Sequence, residues 1–307
     1  MTWQLIEDDE TLHRVLEDAS DCTAVMVDTE FMRRNTFFPQ VALVQLCFDI
    51  PGQELPTAWL VDPLKIQDTA ALAALFTNDA VIKVLHSASE DLEVFQCWLG
   101  IAPNPLFDSQ RAAALVDMGF GLGYRALVSS ICEVDLPKGE QRSDWLQRPL
   151  TESQCEYTSQ EVTYLLRVWR ELYTRCQQSD KLEWVLADGL DAAAGTDRSG
   201  EHYYKRIKGG WKLDQQQLGA LVALSRWREE TARRRDKPRS WIIDDKACLA
   251  IARSAPANLN ELKASTELPA PLVRRHGEEI LDILSQQRSM PPEQLPQPLP
   301  TPLNAAQ

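Results

Sequence analysis

Two acidic residues, Asp28 and Glu30, follow a short apolar run at 24–27 in the segment V-D-T-E. Residues i and i+2 of a strand point to the same side, so this spacing would place both carboxylates on one face. Two adjacent negative charges repel each other unless a cation neutralises them. Carboxylate oxygens without thiols suit Mg²⁺ or Mn²⁺ rather than zinc. The pattern indicates a divalent-cation site, although two solvated acids at a strand end would have the same spacing.

A second group of acids lies at 86–93, in the segment H-S-A-S-E-D-L-E, which also follows an apolar run. This run should lead into a helix whose N-cap is Ser87 or Ser89, with Asp91 in its first turn. Asp91 is then either a further ligand beside the first acid pair or an ordinary acid that favours the helix dipole.

A third candidate combines a phenol with a carboxylate. Tyr157 and Glu161 are four residues apart in a segment with helical periodicity at 154–176. This spacing places both side chains on one helix face, one turn apart. Such pairs are also common on exposed helices, so the pair by itself does not distinguish a catalytic role from a surface role.

The elements that would carry these residues alternate along the first half of the chain. Four apolar runs of strand length are interleaved with segments of helical periodicity, which predicts an α/β domain with a mixed central sheet. The runs lie at 24–27, 41–48, 58–61 and 82–85. After about residue 180 the pattern becomes mostly helical, and 241–243 is the only further β-like run.

The length of 307 residues exceeds the usual size of one hydrophobic core, so we predict two domains. The first domain is expected at 1–185, followed by a connection rich in Gly, Asp and Ala at 186–210. A helical domain is expected at 211–290, and the prolines of 291–307 predict an extended or disordered tail.

The net charge of −13 argues against a phosphate-binding surface, unless carboxylates are engaged by metal ions and basic residues cluster elsewhere. The seven cysteines are scattered without a C-x-x-C pair, which indicates free thiols in a reducing compartment. The first residues lack the features of a secretory signal, and no stretch approaches the roughly 20 apolar residues that span a bilayer. These observations predict a cytoplasmic protein without a membrane partner.

Five segments in sequence order give the acids a common context. They are V-D-T-E-F-M-R-R-N-T-F-F-P-Q-V-A-L-V-Q-L (27–46), K-V-L-H-S-A-S-E-D-L-E-V-F (83–95), F-D-S-Q-R-A-A-A-L (107–115), S-D-W-L-Q-R-P-L (143–150) and Q-C-E-Y-T-S-Q-E-V-T-Y-L-L (154–166). In their order and spacing the chain resembles the DEDD exonuclease superfamily, and within it the ribonuclease D family, over nearly the whole first domain. The resemblance implies a ribonuclease H-like fold and a phosphodiesterase that uses two cations, Mg²⁺ or Mn²⁺.

The resemblance also implies roles for the acids. Asp28 would bridge both cations, and Glu30 would complete the site on the side of the nucleophile. Asp91 would hold the cation beside the leaving group through water, and Tyr157 would orient the attacking water. Glu161 stands where the family has its fourth metal-binding acid, an aspartate. Because Mg²⁺ demands near-ideal octahedral geometry, the extra methylene of Glu161 weakens that site, changes metal preference or is absorbed by a shift of the helix.

Five further residues of these motifs are candidates for binding the 3′-terminal nucleotides: Phe37, Phe38, Gln45, His86 and Arg148. The two phenylalanine rings would stack on bases, and Arg148 would contact a phosphate while it fixes the loop before the Tyr157 helix. The alternative is that Phe37 and Phe38 pack in a core or a loop, and that His86 is a packed histidine without a ligand.

The segment 221–252 resembles an HRDC domain, a small helical module found in ribonuclease D and in RecQ-type helicases. Its basic residues beside Trp241 would supply an RNA-binding surface. They are Arg226, Arg228, Arg233, Arg234, Arg235, Lys237 and Arg239. The alternative is a solvated helix end in which these residues pair with Glu229, Glu230 and Asp236.

These observations together predict a 3′-5′ exoribonuclease that hydrolyses phosphodiester bonds and releases nucleoside 5′-monophosphates. The expected partners are RNA 3′ ends, including tRNA precursors, and the expected oligomeric state is a monomer. Two alternatives stay open. One is a DNA 3′-5′ exonuclease with the same acids, and the other is a catalytically impaired RNA-binding scaffold, which the glutamate at position 161 suggests.

Overall fold

The computed structural model describes residues 2–52, 56–137, 139–194, 202–265 and 268–301. The chain divides into two compact units. The first unit comprises Met1–Arg33 and Pro39–Thr196, and the second comprises Arg34–Phe38 and Asp197–Gln307. The structure describes all seven cysteines and shows no disulfide bond between any two of them. Within the described ranges, we find no helix long and apolar enough to cross a membrane.

The first unit is built on a six-stranded sheet in the order β1-β4-β3-β2-β5-β6. The strands are β1 (Thr2–Ile6), β2 (Ala24–Met32), β3 (Gln40–Asp49), β4 (Thr57–Val61), β5 (Ile82–Leu85) and β6 (Leu106–Asp108). Strand β3 is antiparallel to both of its neighbours, and the other three pairs are parallel. The sheet is therefore mixed, as the alternation of apolar runs and helical segments predicts.

Helices cover both faces of this sheet. They are α1 (Asp9–Asp18), α2 (Ala70–Thr77), α3 (Ser89–Trp98), α4 (Ser109–Leu115), α5 (Tyr124–Cys132), α6 (Glu152–Gln178) and α7 (Leu182–Ala194). Strand β2 shows how the two layers arise, because its residues alternate between two separate hydrophobic cores. Ala24 and Met26 belong to the core that includes α6, while Val25 and Val27 belong to the core on the opposite face. Continuation of this alternation directs Asp28 towards α6.

The 27-residue helix α6 carries the predicted Tyr157 and Glu161. It begins with a capping box, in which Thr151 and Gln154 satisfy each other's backbone N–H groups. Its apolar stripe packs across the sheet, and Val162 and Leu165 are among its buried residues. The predicted helix at 154–176 is thus correct in type and two residues short at each end.

The second unit is helical, as predicted. It contains α8 (Gln215–Arg235), α9 (Arg239–Ile242), α10 (Asp245–Ser254), α11 (Leu259–Ser265) and α12 (Ala270–Arg288). The β-like run at 241–243 is a wrong prediction, because Trp241 and Ile242 end the short helix α9. Pro238 precedes that helix and fixes the backbone at its start. Helix α9 has only four residues, and it buries the apolar side chain of Ile242. The apolar run at 241–243 is thus explained by burial from a short helix and not from a strand.

Residues on both sides of the predicted range 211–290 are also packed in this unit. Residue Ile207, in the predicted connection, is 3% exposed and belongs to the core of the helices. Residue Leu295, in the predicted tail, is also buried at 8% exposure. Both packed positions lie where Gly or Pro content predicts a connection or a disordered segment. The tail residues 302–307 lie outside the described residues.

Candidate active site

Asp28, the first acid of the β2 pair, lines a cleft of about 350 Å³ in the first unit. The cleft is lined by Asp28, Thr29, Phe31, His86, Ser87, Glu90, Asp91, Tyr124, Gln141, Glu161 and Leu165. Asp28 is partly buried there, and the neighbouring Glu30 interacts electrostatically with both Asp28 and Asp91. The structure thus brings together the predicted acids of β2, α3 and α6, which are more than 130 residues apart at their extremes.

Asp91 is 8% exposed in the first turn of α3. The hydroxyl of Thr29, the residue between the two β2 acids, donates a hydrogen bond of 2.5 Å to Oδ1 of Asp91. This bond ties the start of α3 directly to the strand that carries Asp28. The two acidic segments that sequence reasoning treats separately are therefore parts of one site.

The turn before α3 is held from another strand. Neither serine caps the helix, since the N-cap is Ala88 and it has no side-chain hydrogen bond. The carboxylate of Asp108, at the end of β6, instead accepts hydrogen bonds of 3.0 Å from the N–H groups of Ser87 and Ala88. Ser87 has a φ of +59°, which is uncommon for a residue with a side chain. Asp108 thereby stabilises the backbone conformation that positions Asp91.

Tyr157 and Glu161 lie on the same face of α6, as their spacing predicts. The phenol of Tyr157 donates a hydrogen bond to the Glu161 carboxylate, and the carboxyl of Asp28 donates another. Gly139 lies against the Tyr157 ring, where an added Cβ would be 1.9 Å from Cδ2 of the ring. A close backbone approach therefore fixes the ring from its outer side.

Tyr124 is a site residue that sequence reasoning misses. Its hydroxyl donates to the backbone carbonyl of Gln160 at 3.1 Å and also to that of Glu161. The ring lines both the cleft and an adjoining cavity of about 360 Å³ that also borders Tyr157 and Glu161. Tyr124 thus fixes the turn of α6 that carries Glu161. No local sequence pattern indicates this role, because the hydrogen bonds join the first residue of α5 to a turn of α6 more than 30 residues later.

The electrostatics of the cleft are those of crowded, poorly solvated acids. Burial raises the pKa of Asp28 well above its ordinary value, and the neighbouring Glu161 and Asp91 carboxylates raise it further. Burial, together with Asp28 and Asp91, raises the pKa of Glu30 to about 9. The pKa values of Asp91 and Glu161 are raised as well, chiefly by burial. Nearby positive charge would release these protons.

The donor set fits divalent cations. Four carboxyl groups converge, and the acceptor chemistry is all oxygen, which Mg²⁺ and Mn²⁺ prefer. Among the polar atoms described, Oε2 of Glu161 is buried without a hydrogen-bond partner and is available as a ligand. Within the described residues, no group of three or more His, Cys, Asp and Glu side chains is already arranged to hold an ion. The carboxyls of Asp28 and Glu161 are instead hydrogen-bonded to each other.

Two of the predicted nucleotide-binding residues lie close to the acids. His86 lines the cleft, and its Nδ1 is 2.9 Å from the Ser109 hydroxyl. Burial lowers the His86 pKa, so the imidazole is neutral at neutral pH. Gln45 is paired with Asp28 between β3 and β2 and is fully buried. Both amide atoms of Gln45 lack a hydrogen-bond partner among the described residues, and its burial removes it from direct substrate contact.

Arg148 does not support the predicted phosphate contact. Its Nε and Nη2 atoms donate to the two carboxylate oxygens of Asp62 at 2.5 and 2.7 Å, and Asp62 is fully buried. The guanidinium also donates to the carbonyl oxygens of Ala42 and Trp145. These bonds join the loop before α6 to the sheet. Arg148 therefore fixes that loop, and its donors are not directed to a ligand.

The predicted aromatic pair lies in the second unit. Phe37 is 2% exposed, and the guanidinium groups of Arg233 and Arg239 lie 4.9 and 4.6 Å from its ring centroid. Its ring therefore packs in a core and is not available to stack on a base. Phe38 is 36% exposed and contacts Phe37 edge to face. The sequence could not separate these outcomes, because both phenylalanines precede the same proline.

The basic run of the second unit is partly a structural network. Glu229 is 1% exposed and forms ion pairs with Arg233 and Arg239. Arg228 is equally buried and pairs with Asp245. Four other members of the run are exposed: Arg226, Arg234, Arg235 and Lys237. The alternative interpretation, in which acids pair with the run, is therefore correct for part of it.

Comparison with known proteins agrees with the fold and with the arrangement of acids. The 3′-5′ exonuclease family profile matches residues 3–177, and the HRDC domain profile matches residues 217–284. The chain is thus a 3′-5′ exonuclease with an HRDC module, in a class of enzymes that depends on divalent metal ions. The expected ribonuclease H-like domain followed by a helical HRDC domain is confirmed.

Individual relatives refine this class. The chain is 39% identical to the ribonuclease D of Pseudomonas paraeruginosa, over 97% of this chain and 79% of the relative. It is 35% identical to the ribonuclease D of Escherichia coli K12, over 97% and 78%. The crystal structure of E. coli RNase D superposes with a TM-score of 0.85 at 34% identity, covering 98% of this chain and 79% of that one. The chain belongs to the ribonuclease D family and is a hydrolytic 3′-5′ exoribonuclease.

More distant structures share the fold alone. The catalytic core of RRP6 from Trypanosoma brucei has a TM-score of 0.66 at 23% identity, covering 93% of this chain and 79% of that one. Brucella melitensis NrnC with bound Mg²⁺ has a TM-score of 0.53 at 22% identity, covering 70% of this chain and 98% of that one.

Proposed function

We propose that this enzyme removes 3′-terminal nucleotides from RNA with two divalent cations held by four acids: Asp28, Glu30, Asp91 and Glu161. The observation that carries the proposal is the convergence of these carboxyl groups, whose pKa values are all raised. Asp28, Asp91 and Glu161 line one cleft, and Glu30 interacts electrostatically with Asp28 and Asp91. A fixed cluster of repelling carboxylates is costly for a fold unless cations bind there. The cations would activate water and stabilise the leaving oxygen of an in-line displacement.

The protein residues have distinct parts in this proposal. Asp28 interacts with the carboxyls of both Asp91 on α3 and Glu161 on α6, which supports a role in which it would hold both cations. Asp91 and Glu161 would each hold one. Burial and the Glu161 carboxylate raise the pKa of the Tyr157 phenol, so it stays protonated at neutral pH. A protonated phenol can orient the attacking water through its hydroxyl without removing a proton from it. The step yields a nucleoside 5′-monophosphate and leaves a 3′-hydroxyl on the shortened RNA.

The proposed substrates are 3′ ends of structured RNAs, including tRNA precursors. The E. coli relative is described as an exoribonuclease involved in structured RNA processing. The four exposed members of the basic run support contact with an RNA backbone, and Trp241, 53% exposed beside Lys237, supports contact with a base. We further propose a monomer that acts in the cytoplasm, a reducing compartment that suits seven cysteines without a disulfide bond between them.

The test is a hydrolysis assay on matched single-stranded RNA and DNA labelled at the 5′ end. We expect RNA to shorten stepwise from its 3′ end with Mg²⁺ or Mn²⁺, with release of 5′-monophosphates. Asp28→Ala should abolish this release, and chelation of the metal should do the same. Equal cleavage of DNA would contradict the proposed RNA substrate. Tight RNA binding without hydrolysis in either metal would instead support an impaired RNA-binding scaffold.

A further inference from the structure

The loop between α4 and α5 exposes an aromatic side chain, four residues before the cleft-lining Tyr124. Phe120 is 91% exposed, more than any other large hydrophobic residue in the described ranges. A single exposed apolar residue needs no explanation by itself. The backbone that presents this one, and the place where it lies, supply independent observations.

The loop backbone is shaped to project residue 120. Asp117, Gly119 and Gly121 have φ angles of +61°, +134° and +66°, so the chain reverses its path on both sides of Phe120. Glycine adopts such angles without steric cost. At Gly119 an added Cβ would also be only 3.2 Å from Cγ of Leu122, a tight contact. The loop conformation therefore favours glycine on both sides of the exposed Phe120.

Both ends of the loop are fixed. The N–H of Met118 donates to the carbonyl of Ala113 at 2.9 Å, and the side-chain amide of Gln110 donates to the carbonyl of Leu122, also at 2.9 Å. Phe120 thus projects from an anchored base.

The anchored base adjoins the site. Gly123 and Tyr124 directly follow the loop and line the cavities around Glu161. Two residues lie between Phe120 and Gly123, so their Cα atoms, three peptide units apart, are at most roughly 11 Å from each other. Phe120 is therefore close in the chain to a residue that lines the cavity bordering Tyr157 and Glu161.

The negative charge of the cleft favours a nucleobase as the ligand of Phe120. The cleft is acidic, so it repels an RNA backbone wherever cations do not neutralise it. Stacking on an aromatic ring attracts every base and needs no positive charge. Within 117–123, which the structure describes in full, Phe120 is the only large hydrophobic residue that is exposed. A protein partner would need a wider apolar patch, whereas one ring matches one base.

We propose that Phe120 stacks on a nucleobase of the single-stranded RNA upstream of the scissile bond and thereby holds the 3′ end in the cleft. The proposal rests on the proposed exoribonuclease function and adds a substrate contact to it. Stacking of one base contributes about 1–3 kcal/mol, so loss of the ring weakens RNA binding between roughly 5-fold and 150-fold.

The experiment compares Phe120→Ala, Phe120→Leu and Phe120→Trp with the unchanged enzyme on RNAs from two to eight nucleotides long. We expect Phe120→Ala and Phe120→Leu to raise KM on the longer RNAs within that range, with little change in kcat. The dinucleotide should be unaffected, and Phe120→Trp should retain or improve binding. Trp184→Ala is the matched control, because Trp184 is 62% exposed on α7 of the same unit and should have no effect.

A second measurement reports the stacking directly. In the Asp28→Ala background, RNAs carry 2-aminopurine at successive positions from the 3′ end, and fluorescence is recorded on binding. Quenching at one upstream position that disappears with Phe120→Ala supports the proposal. Identical fluorescence and identical KM for Phe120→Ala and the unchanged ring would overturn it, while mononucleotide release would still support the exoribonuclease function. If quenching occurs at that position but the enzyme with Asp28 intact releases no mononucleotide, the proposed exoribonuclease function is refuted and the stacking is not.

Discussion

Glu161 is the residue where this chain departs from the aspartate that the ribonuclease D resemblance implies. Its side chain reaches across from α6 to accept a hydrogen bond from Asp28 on β2, and it also accepts one from Tyr157. Tyr124 fixes the backbone of the same turn through the carbonyls of residues 160 and 161. Because that turn is held, the helix has little freedom to compensate for the longer side chain. The length of Glu161 therefore acts directly on the geometry of the proposed cation site.

Shortening this side chain should change the metal preference. We predict that Glu161→Asp lowers the Mg²⁺ concentration for half-maximal hydrolysis by about tenfold, or about 1.4 kcal/mol, because Mg²⁺ tolerates distorted coordination poorly. The response to Mn²⁺ should change less. Calorimetric titration with each metal, without RNA, measures the same shift in binding. Glu156→Asp, an exposed position on α6, is the control. Unchanged Mg²⁺ affinity in Glu161→Asp would show that the glutamate fits the ion as well as aspartate.

Gly139 gives a steric test of the position of Tyr157. We predict that Gly139→Ala lowers kcat at least tenfold with little loss of stability, because the added methyl would overlap the Tyr157 ring and displace its hydroxyl. The matched control is Gly123→Ala, whose methyl meets nothing within 4 Å. Thermal unfolding measured beside the kinetics separates displacement from misfolding. Unchanged kcat in Gly139→Ala would mean that the loop moves away and that Tyr157 keeps its position.

At the scale of elements, β5, which lies between β2 and the edge strand β6, carries a buried amine. Lys83 is fully buried, and its Nζ donates to the carbonyls of Asn78 and Val81 at 2.7 and 2.6 Å. Burial lowers its pKa to about 8, despite the attraction of Asp79. The Lys83 amine thus satisfies two backbone carbonyls of the turn before β5 from a buried position in the strand.

The lowered pKa predicts a specific pH dependence of stability. Between about pH 8 and the ordinary lysine pKa of 10.5, the unfolded chain binds more protons at Lys83 than the folded chain does. The contribution of Lys83 to the free energy of unfolding therefore becomes more favourable as pH rises through this window. We predict that the stability of the unchanged protein relative to Lys83→Met increases from pH 7.5 to pH 10, measured by urea unfolding. A constant difference would contradict the lowered pKa.

The elements that the sequence predicts well are those with strong local periodicity. The alternation along β2 correctly places Asp28, and the helical period of α6 correctly pairs Tyr157 with Glu161. Local patterns fail where long-range packing decides. The burial of Phe37 depends on arginines about 200 residues later, and the burial of Gln45 depends on its position inside the sheet. The turn at Ser87 likewise depends on Asp108, which no helix-capping rule for adjacent residues would select.

At the scale of the whole molecule, the net charge of −13 hides an uneven distribution. Acids are concentrated in the cleft, whereas the second unit carries the four exposed basic residues around the end of α8. We therefore expect the exposed basic residues to attract an RNA backbone, and the acidic cleft to bind RNA only when cations are also bound there. The overall charge of such an enzyme is a poor guide to its ligand.

This distribution predicts a measurable dependence of RNA binding on salt. For single-stranded RNA, removing one basic side chain that neutralises a phosphate should reduce the slope of log affinity against log salt concentration by about 0.7. We predict that Arg226→Ala and Arg235→Ala each weaken binding and flatten this slope. Lys263→Ala, at an exposed basic position on α11, serves as the control. If all three variants bind with the slope of the unchanged protein, the basic run has only a structural role.

The raised pKa values of Asp28 and Glu161 have a thermodynamic consequence for cation uptake. Carboxyl groups that hold protons must release them before their oxygens can coordinate, so cations and protons compete for the same atoms. Apparent metal affinity should therefore rise with pH up to about 9, where Glu30 titrates in the metal-free protein. Calorimetric heats of binding at pH 7 should also differ between buffers of different ionisation enthalpy. The enzyme would then link its saturation with metal to the acidity of its surroundings.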